Sequence, residues 1–291
     1  MKKPSVFGRA FNLLVYIFLY APIAVLIIFS FNASKSRTIW AGFTLDWYIK
    51  LFSDDTVLKA FGVTVAVAVI ASVIATVLGT MAAIGFFSMR RKSRSLFMNI
   101  NNIPMTNADI ITGVSLMLLF VFSTQALNAF VAAIIPESGI EFQLGFGTLL
   151  TSHITFDVPY VILSVMPCLY HLDKNLSEAA QDLGATPSQA FFKIILPQLH
   201  PGVVNGLIIA FTMSIDDFVI SYFTAGSSVS TLAMVIYSMT RKRISPEINA
   251  ISTILFVSVL VLLIVINARE IHQQNAEQKR LTALKRDAAA H

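Results

Sequence analysis

The chain has 291 residues, 56% of them hydrophobic and only 13% charged, with a formal charge of +5. Soluble domains carry roughly 25% charged residues, so this chain has too few polar groups to cover a water-facing surface, and lipid is its natural solvent. A single cysteine, Cys168, excludes an internal disulfide; it lies in an apolar run, where a packed thiol is expected.

Apolar runs recur along the chain, each long enough for the about 20 residues of a membrane-spanning helix. In chain order the predicted spans are 10–31, 60–87, 108–133, 145–170, 201–225 and 248–268. The first follows Lys2, Lys3 and Arg9 and exceeds the roughly 7–15 apolar residues of a signal-peptide core. It reads as a retained helix kinked at Pro22. Segment 32–58 then carries Trp40, Trp47 and Tyr48, residue types suited to a membrane interface. In the second span Ala71, Ala75, Gly79 and Ala83 recur every four residues, a stripe of small side chains that lets a neighbouring backbone approach closely. Asp109, beside Thr106 and Asn107, reads as an interfacial cap on the third span. In the fourth, His153 and Asp157 are four residues apart and share a helical face. They read either as a mutually satisfied polar pair or as a gate or proton-sensitive contact.

The expected fold class is therefore all-α, a single membrane domain over 1–291 with about six transmembrane helices. Six spans put both termini on one side. With the termini cytoplasmic, 14 of the 21 Lys and Arg residues fall on the inner side, which the positive-inside rule favours. Arg241, Lys242 and Arg243 run against that trend.

The loop 171–200 is the most informative stretch. Leu172, Leu176, Ala179, Ala180 and Leu183 recur at helical spacing and form one apolar stripe. Gly184 can adopt the left-handed conformation that ends a helix. Thr186-Pro187-Ser188-Gln189 is a second start signal, with a Thr cap, Pro at the first helical position and Gln completing a capping box. Pro197 and Pro201 are expected to break the chain before the fifth span. The product is a short helix, a glycine turn and another short helix on the cytoplasmic surface.

Within the fifth span stand Asp216 and Asp217. At about 1.5 Å per residue they lie roughly 20 Å from Pro201, past the midplane. An aspartate at the bilayer centre costs about 2.5–3.5 kcal/mol on insertion scales, so the pair needs a partner: a cationic substrate, another subunit's base, or a proton. Phe218, Tyr222 and Phe223 could add cation–π contacts. The alternative is that the carboxylates hydrogen-bond Ser214, Ser221 or a neighbouring helix and only hold the bundle together.

Glu178-Ala179-Ala180, then Gly184, then Ile194-Ile195-Leu196-Pro197 resembles the E-A-A loop of ABC-importer permeases. Further stretches from end to end narrow the resemblance to the second permease subunit of spermidine/putrescine importers. Among them are Ser30-Phe31-Asn32-Ala33-Ser34, Trp40-Ala41-Gly42-Phe43-Thr44, Ser152-His153-Ile154-Thr155-Phe156, Ser214-Ile215-Asp216-Asp217 and Ser245-Pro246-Glu247-Ile248-Asn249-Ala250. Two features depart from the family: a long segment 126–146, and Asp157 where an apolar residue or cysteine is expected.

The resemblance implies a type I permease bundle in a bacterial cytoplasmic membrane, with 171–200 as its cytoplasmic coupling loop. Glu178, Ala179, Ala180 and Gly184 would then dock on an ATPase subunit. The small-residue stripe could face the partner permease. The implied partners are a second permease subunit, an ATPase dimer, an extracytoplasmic polyamine-binding protein, the bilayer and the polyamine itself, with no nucleic acid. Asp216, Asp217 and Tyr222 are the candidate pathway residues. No G-x-x-x-x-G-K-[ST] occurs, so the chain is expected to bind no cofactor, ATP and Mg being used by the partner ATPase. Neither H-E-x-x-H nor C-x-x-C occurs, and no metal site or catalytic centre is expected. Cargo alternatives are another small cationic solute or a metal complex; acids in the fifth span disfavour an oxyanion. An ion-coupled secondary transporter would show inverted repeats, and the sequence has none.

Overall fold

The computed structural model describes residues 6–34, 39–135, 139, 141–173, 175–242, 247–261, 263–264 and 268. The basic residues at 2–3, 35–37 and beyond 268, and Ser245-Pro246, lie outside them. The described residues are almost wholly helical; the sole strand-like pairing among them is an isolated bridge between Asn32 and Phe43. Among the described residues five helices are long and apolar enough to cross a membrane. The sixth predicted span, 248–268, begins in a shorter apolar helix, Glu247–Val261.

The chain forms two bodies, 1–58 with 236–291, and 59–235. In the first, α1 (Val6–Phe29) contains Pro22 and leaves its apolar side chains outward, as a lipid-facing helix does. After it, the Asn32 side chain, 1% exposed, organises the turn. Its Oδ1 accepts the Ala41 N–H at 2.9 Å, and its Nδ2 donates to the Ile39 carbonyl at 2.8 Å. The short α2 (Asp46–Phe52) is pinned to this turn by Trp47, whose Nε1–H donates to the Asn32 carbonyl, and by Tyr48, whose hydroxyl pairs with Ser30.

The second body is built on α3 (Asp55–Ser88), α5 (Asp109–Ile134), α6 (Phe146–His171) and α9 (Leu196–Asp216). Its main core joins Ala75 and Ala83 of α3, Val161, Ile162, Val165, Met166 and Leu169 of α6, and Leu199 and Ala210 of α9. The small-residue stripe serves this core. Ala71, Ala75 and Ala83 are fully buried, and a Cβ on Gly79 would lie 2.7 Å from the Val161 side chain. The stripe is therefore filled by α6 of the same chain, which corrects the expectation that it could face a partner subunit. Gly202 plays the matching part on α9, where a Cβ would meet the Ser164 carbonyl and Cys168 Sγ at 2.8 Å.

Between α3 and α5 lies α4 (Arg91–Thr106). Arg94 fixes it by capping the end of α3: its guanidinium donates to the carbonyls of Phe86, Phe87 and Met89 at 3.1, 2.6 and 3.2 Å. Asp109 does not cap α5: Ala108 holds the N-cap position with no side-chain bond, and Asp109 stands in the first turn, where a carboxylate suits the positive end of the helix.

The expected break at Pro197 and Pro201 does not occur. Helix runs from Pro187 to Asp216, through α8 (Pro187–Ala190), a wide π turn at Phe191–Ile195, and α9. A proline ring collides with the carbonyl four residues back, and the π turn widens the helix where Pro197 would meet Lys193. The interruption falls instead at Asp217-Phe218, after which α10 (Val219–Thr224) begins. The predicted span 201–225 is thus two helices.

Candidate functional site

The loop 171–200 folds as its capping chemistry dictates. Its first helix, α7 (Leu176–Asp182), ends in a Schellman turn. The Ala185 N–H bonds the Ala180 carbonyl at 3.0 Å and the Gly184 N–H bonds the Gln181 carbonyl at 2.9 Å. Gly184 takes φ +88°, the left-handed region, with open space where a Cβ would project. Thr186 and Gln189 then exchange both bonds of the capping box: Gln189 N–H to Thr186 Oγ1 at 3.3 Å, and Thr186 N–H to Gln189 Oε1 at 3.0 Å. The apolar stripe divides, however. Ala180 is buried, whereas Glu178 and Ala179 are exposed and Leu183 is 91% exposed. The reversal at Gly184 turns Leu183 away from the inward face. The loop therefore presents an acid, a small residue and a bare leucine on one turn of surface.

The helix break at Asp217 carries the second cluster. Asp217 caps α10: its Oδ1 accepts the Ile220 N–H at 3.2 Å and its Oδ2 the Ser221 N–H at 2.7 Å. Asp216 beside it is exposed, as is Tyr222, whose ring tilts against Phe218 at 5.5 Å. The two acids are thus unlike: one oriented by backbone donors, the other exposed.

Behind the break lies a buried polar node. His153 and Asp157, 2% and 0% exposed, do not bond each other; Ser214 stands between them. Ser214 donates to Asp157 Oδ2 at 2.7 Å and meets His153 Nδ1 at 3.0 Å. On its other side the ring's Nε2 meets Ser221 Oγ at 3.0 Å. Asp217 Oδ2 sits 3.7 Å from the same Nε2. The ring therefore ties α6 to both sides of the break. A second tie joins Thr148 to the Thr224 carbonyl at 2.7 Å and Ser152 to the Thr224 hydroxyl at 2.9 Å.

In the first body, Lys50 and Glu247 form an ion pair at a cavity of about 510 Å³ that Asp54 and Asp55 also line. The hydrogen bond and charge of Glu247 hold the Lys50 ammonium above its ordinary pKa. The capping role of Arg94 is not among the sequence-based expectations. The available signal was an arginine just past a helix end with no acid near it.

A family model described as binding-protein-dependent transport system inner membrane component matches residues 75–269. The putrescine transport system permease protein PotI of Escherichia coli (strain K12) is 39% identical over 244 residues, 84% of this chain and 83% of that protein. The spermidine/putrescine transport system permease protein PotC of the same organism is 37% identical over 250 residues, 86% and 88% of the two chains. Among solved structures, a bacterial ABC transporter that imports the acidic polysaccharide alginate superposes with TM-score 0.68 over 91% of this chain and 94% of that one, at 17% identity. The MetNI methionine ABC transporter in an inward-facing form gives TM-score 0.55 over 73% and 94%, also at 17% identity. These two likenesses speak to the fold.

Proposed function

Since this chain belongs to the family of binding-protein-dependent transport system inner membrane components, we propose that it passes putrescine or spermidine, in complex with partner subunits, through the cytoplasmic membrane. It is a multi-pass permease subunit of an ABC transporter and not itself an enzyme. The finer reading has both termini cytoplasmic, a second permease beside it, an ATPase dimer that supplies ATP and Mg chemistry, and an extracytoplasmic polyamine-binding protein. What supports the cargo is the 37–39% identity to polyamine permeases over most of the chain.

The mechanism uses two surfaces. On the coupling loop, Glu178, Ala179 and Leu183 contact the ATPase, while Ala180 packs inward and Gly184 sets the turn. Closure of the ATPase dimer draws the loop along, and the unbroken helix from Pro187 to Asp216 carries that displacement to the break at Asp217. There Asp216 supplies the charge that offsets desolvation of a polyamine ammonium, and Tyr222 supplies a ring face for it. Asp217, by accepting the first amides of α10, sets where Tyr222 stands. An exposed acid and an exposed tyrosine on either side of the helix break at Asp217 are the observation that carries the pathway assignment.

The test is uptake of labelled putrescine into vesicles containing the assembled complex. Asp216→Asn should lower uptake at least tenfold at subsaturating substrate, with assembly and melting temperature unchanged. Undiminished uptake would remove Asp216 from the pathway.

A further inference from the structure

α4 has no buried residue, yet its two faces differ sharply. One face is tied to the protein. Arg94 caps α3, Phe97 stacks on Phe86 at 5.5 Å, and Met98 packs against the α3–α6–α9 core. On the other face Lys92, Leu96, Ile100 and Ile103 are spaced by four, four and three residues, which confines them to an arc of about 80°. Leu96, Ile100 and Ile103 are 59%, 51% and 53% exposed. Arg90, Arg91 and Lys92 stand together at the start of this helix, with no acid in its first turn. Among the described residues no carboxylate pairs with them. The N-terminal end of a helix is itself the positive end of its dipole. Three like charges placed there repel one another and the helix, so the chain leaves an anion-seeking cluster beside an apolar stripe.

We propose that α4 is an interfacial helix that recognises anionic phospholipid headgroups. The stripe Leu96-Ile100-Ile103 enters the boundary of the acyl chains, and Arg90, Arg91 and Lys92 pair with headgroup phosphates of the same leaflet. Arg94, turned inward, holds the helix at the depth of the end of α3. The cluster also matches the positive-inside count, which puts this loop on the cytoplasmic side. A docking face for the ATPase would have the same bare leucine and isoleucines, but the uncompensated charge beside them favours a phosphate-bearing surface. The inference is independent of the cargo.

A local lipid probe tests it. Leu96→Cys in a Cys168→Ala background is labelled with bimane, and the assembled complex is placed in nanodiscs of phosphatidylcholine with phosphatidylglycerol. A nitroxide-bearing tail is carried on one lipid or the other. At low salt, quenching by the phosphatidylglycerol label should exceed that by the phosphatidylcholine label severalfold. Replacing Arg90, Arg91 and Lys92 by Gln should bring the ratio to one, by up to roughly fivefold per charge. Raising salt to about 1 M, where the Debye length is ~3 Å, should do the same without any substitution. Equal quenching by both lipids with the cations intact would overturn headgroup recognition. Absence of quenching by either would make α4 a water- or protein-facing helix instead.

Discussion

Gly184→Ala isolates a single energetic term, because the space that the new methyl would occupy is empty. What remains is the backbone. Gly184 sits at φ +88°, where an L-residue costs about 1–2 kcal/mol, partly offset by the about 0.4–1 kcal/mol gained from a stiffer unfolded chain. The net cost is about 1 kcal/mol, close to a fivefold shift in a local opening equilibrium. It falls on the Schellman turn, whose two closing amides are those of Gly184 and Ala185. Hydrogen–deuterium exchange of the 176–186 segment should therefore quicken about fivefold in the alanine variant, with amides elsewhere unaffected. Gly184→Asn should lie nearer wild type, since asparagine tolerates the left-handed region. If the turn seats the loop on the ATPase, the alanine variant also retains less of that subunit on purification, and the asparagine variant restores it. Wild-type exchange in the alanine variant would refute the conformational argument. Equal loss of the ATPase in both variants would show that the partner, not the φ angle, requires glycine.

At the helix break, Asp217→Ala strips the acceptor from the Ile220 and Ser221 amides and should cost about 1 kcal/mol of stability. Asp217→Asn should recover most of that in thermal melting, and any uptake still missing in the asparagine variant measures the charge itself. His153→Leu severs both links across the break and takes from the buried Ser221 hydroxyl its imidazole partner, while Ser214 keeps Asp157, a loss of about 1–3 kcal/mol. A clear drop in the detergent melting temperature should accompany it, and an unchanged melting curve would mean that the node is not holding α6 to α9 and α10. For Lys50, the folded-state pKa is raised, so its contribution is complete below the unfolded value near 10.5 and fades only as pH climbs past the folded one. Glu247→Gln should thus shift melting by the same amount at pH 6 and pH 8; a difference between them would contradict this assignment of the pair.

Much of the loop 171–200 was legible because capping is local chemistry. The glycine end of α7, the Thr186–Gln189 box and Pro187 at the start of α8 depend on neighbours within a few residues, so spacing alone announces them. The membrane spans were legible for a similar reason: a run of about 20 apolar residues is a one-dimensional signal. The bounds 60–87, 108–133 and 145–170 fall close to α3, α5 and α6.

Other features needed the third dimension. Prolines 197 and 201 looked like breaks because propensity rules are local, yet a π turn accommodates the first and α9 runs through the second. The true interruption, at Asp217, has no proline or glycine; there an aspartate carboxylate offers the following amides an alternative to the carbonyls of a continuing helix. The stripe of alanines and Gly79 announced close approach without saying to what. Only packing revealed Val161 of the same chain as the surface it meets. His153 and Asp157 shared a helical face on paper, but their contact runs through Ser214, 57 residues further on from Asp157.

Composition, periodicity and caps determined by themselves that this chain lives in lipid, how its loop turns, and where charge is scarce, because each follows from a residue and its near neighbours. Which small face meets which helix, which of two adjacent aspartates is held by amides, and which cations find no acid were decided by tertiary structure, because each depends on groups brought together from distant parts of the chain.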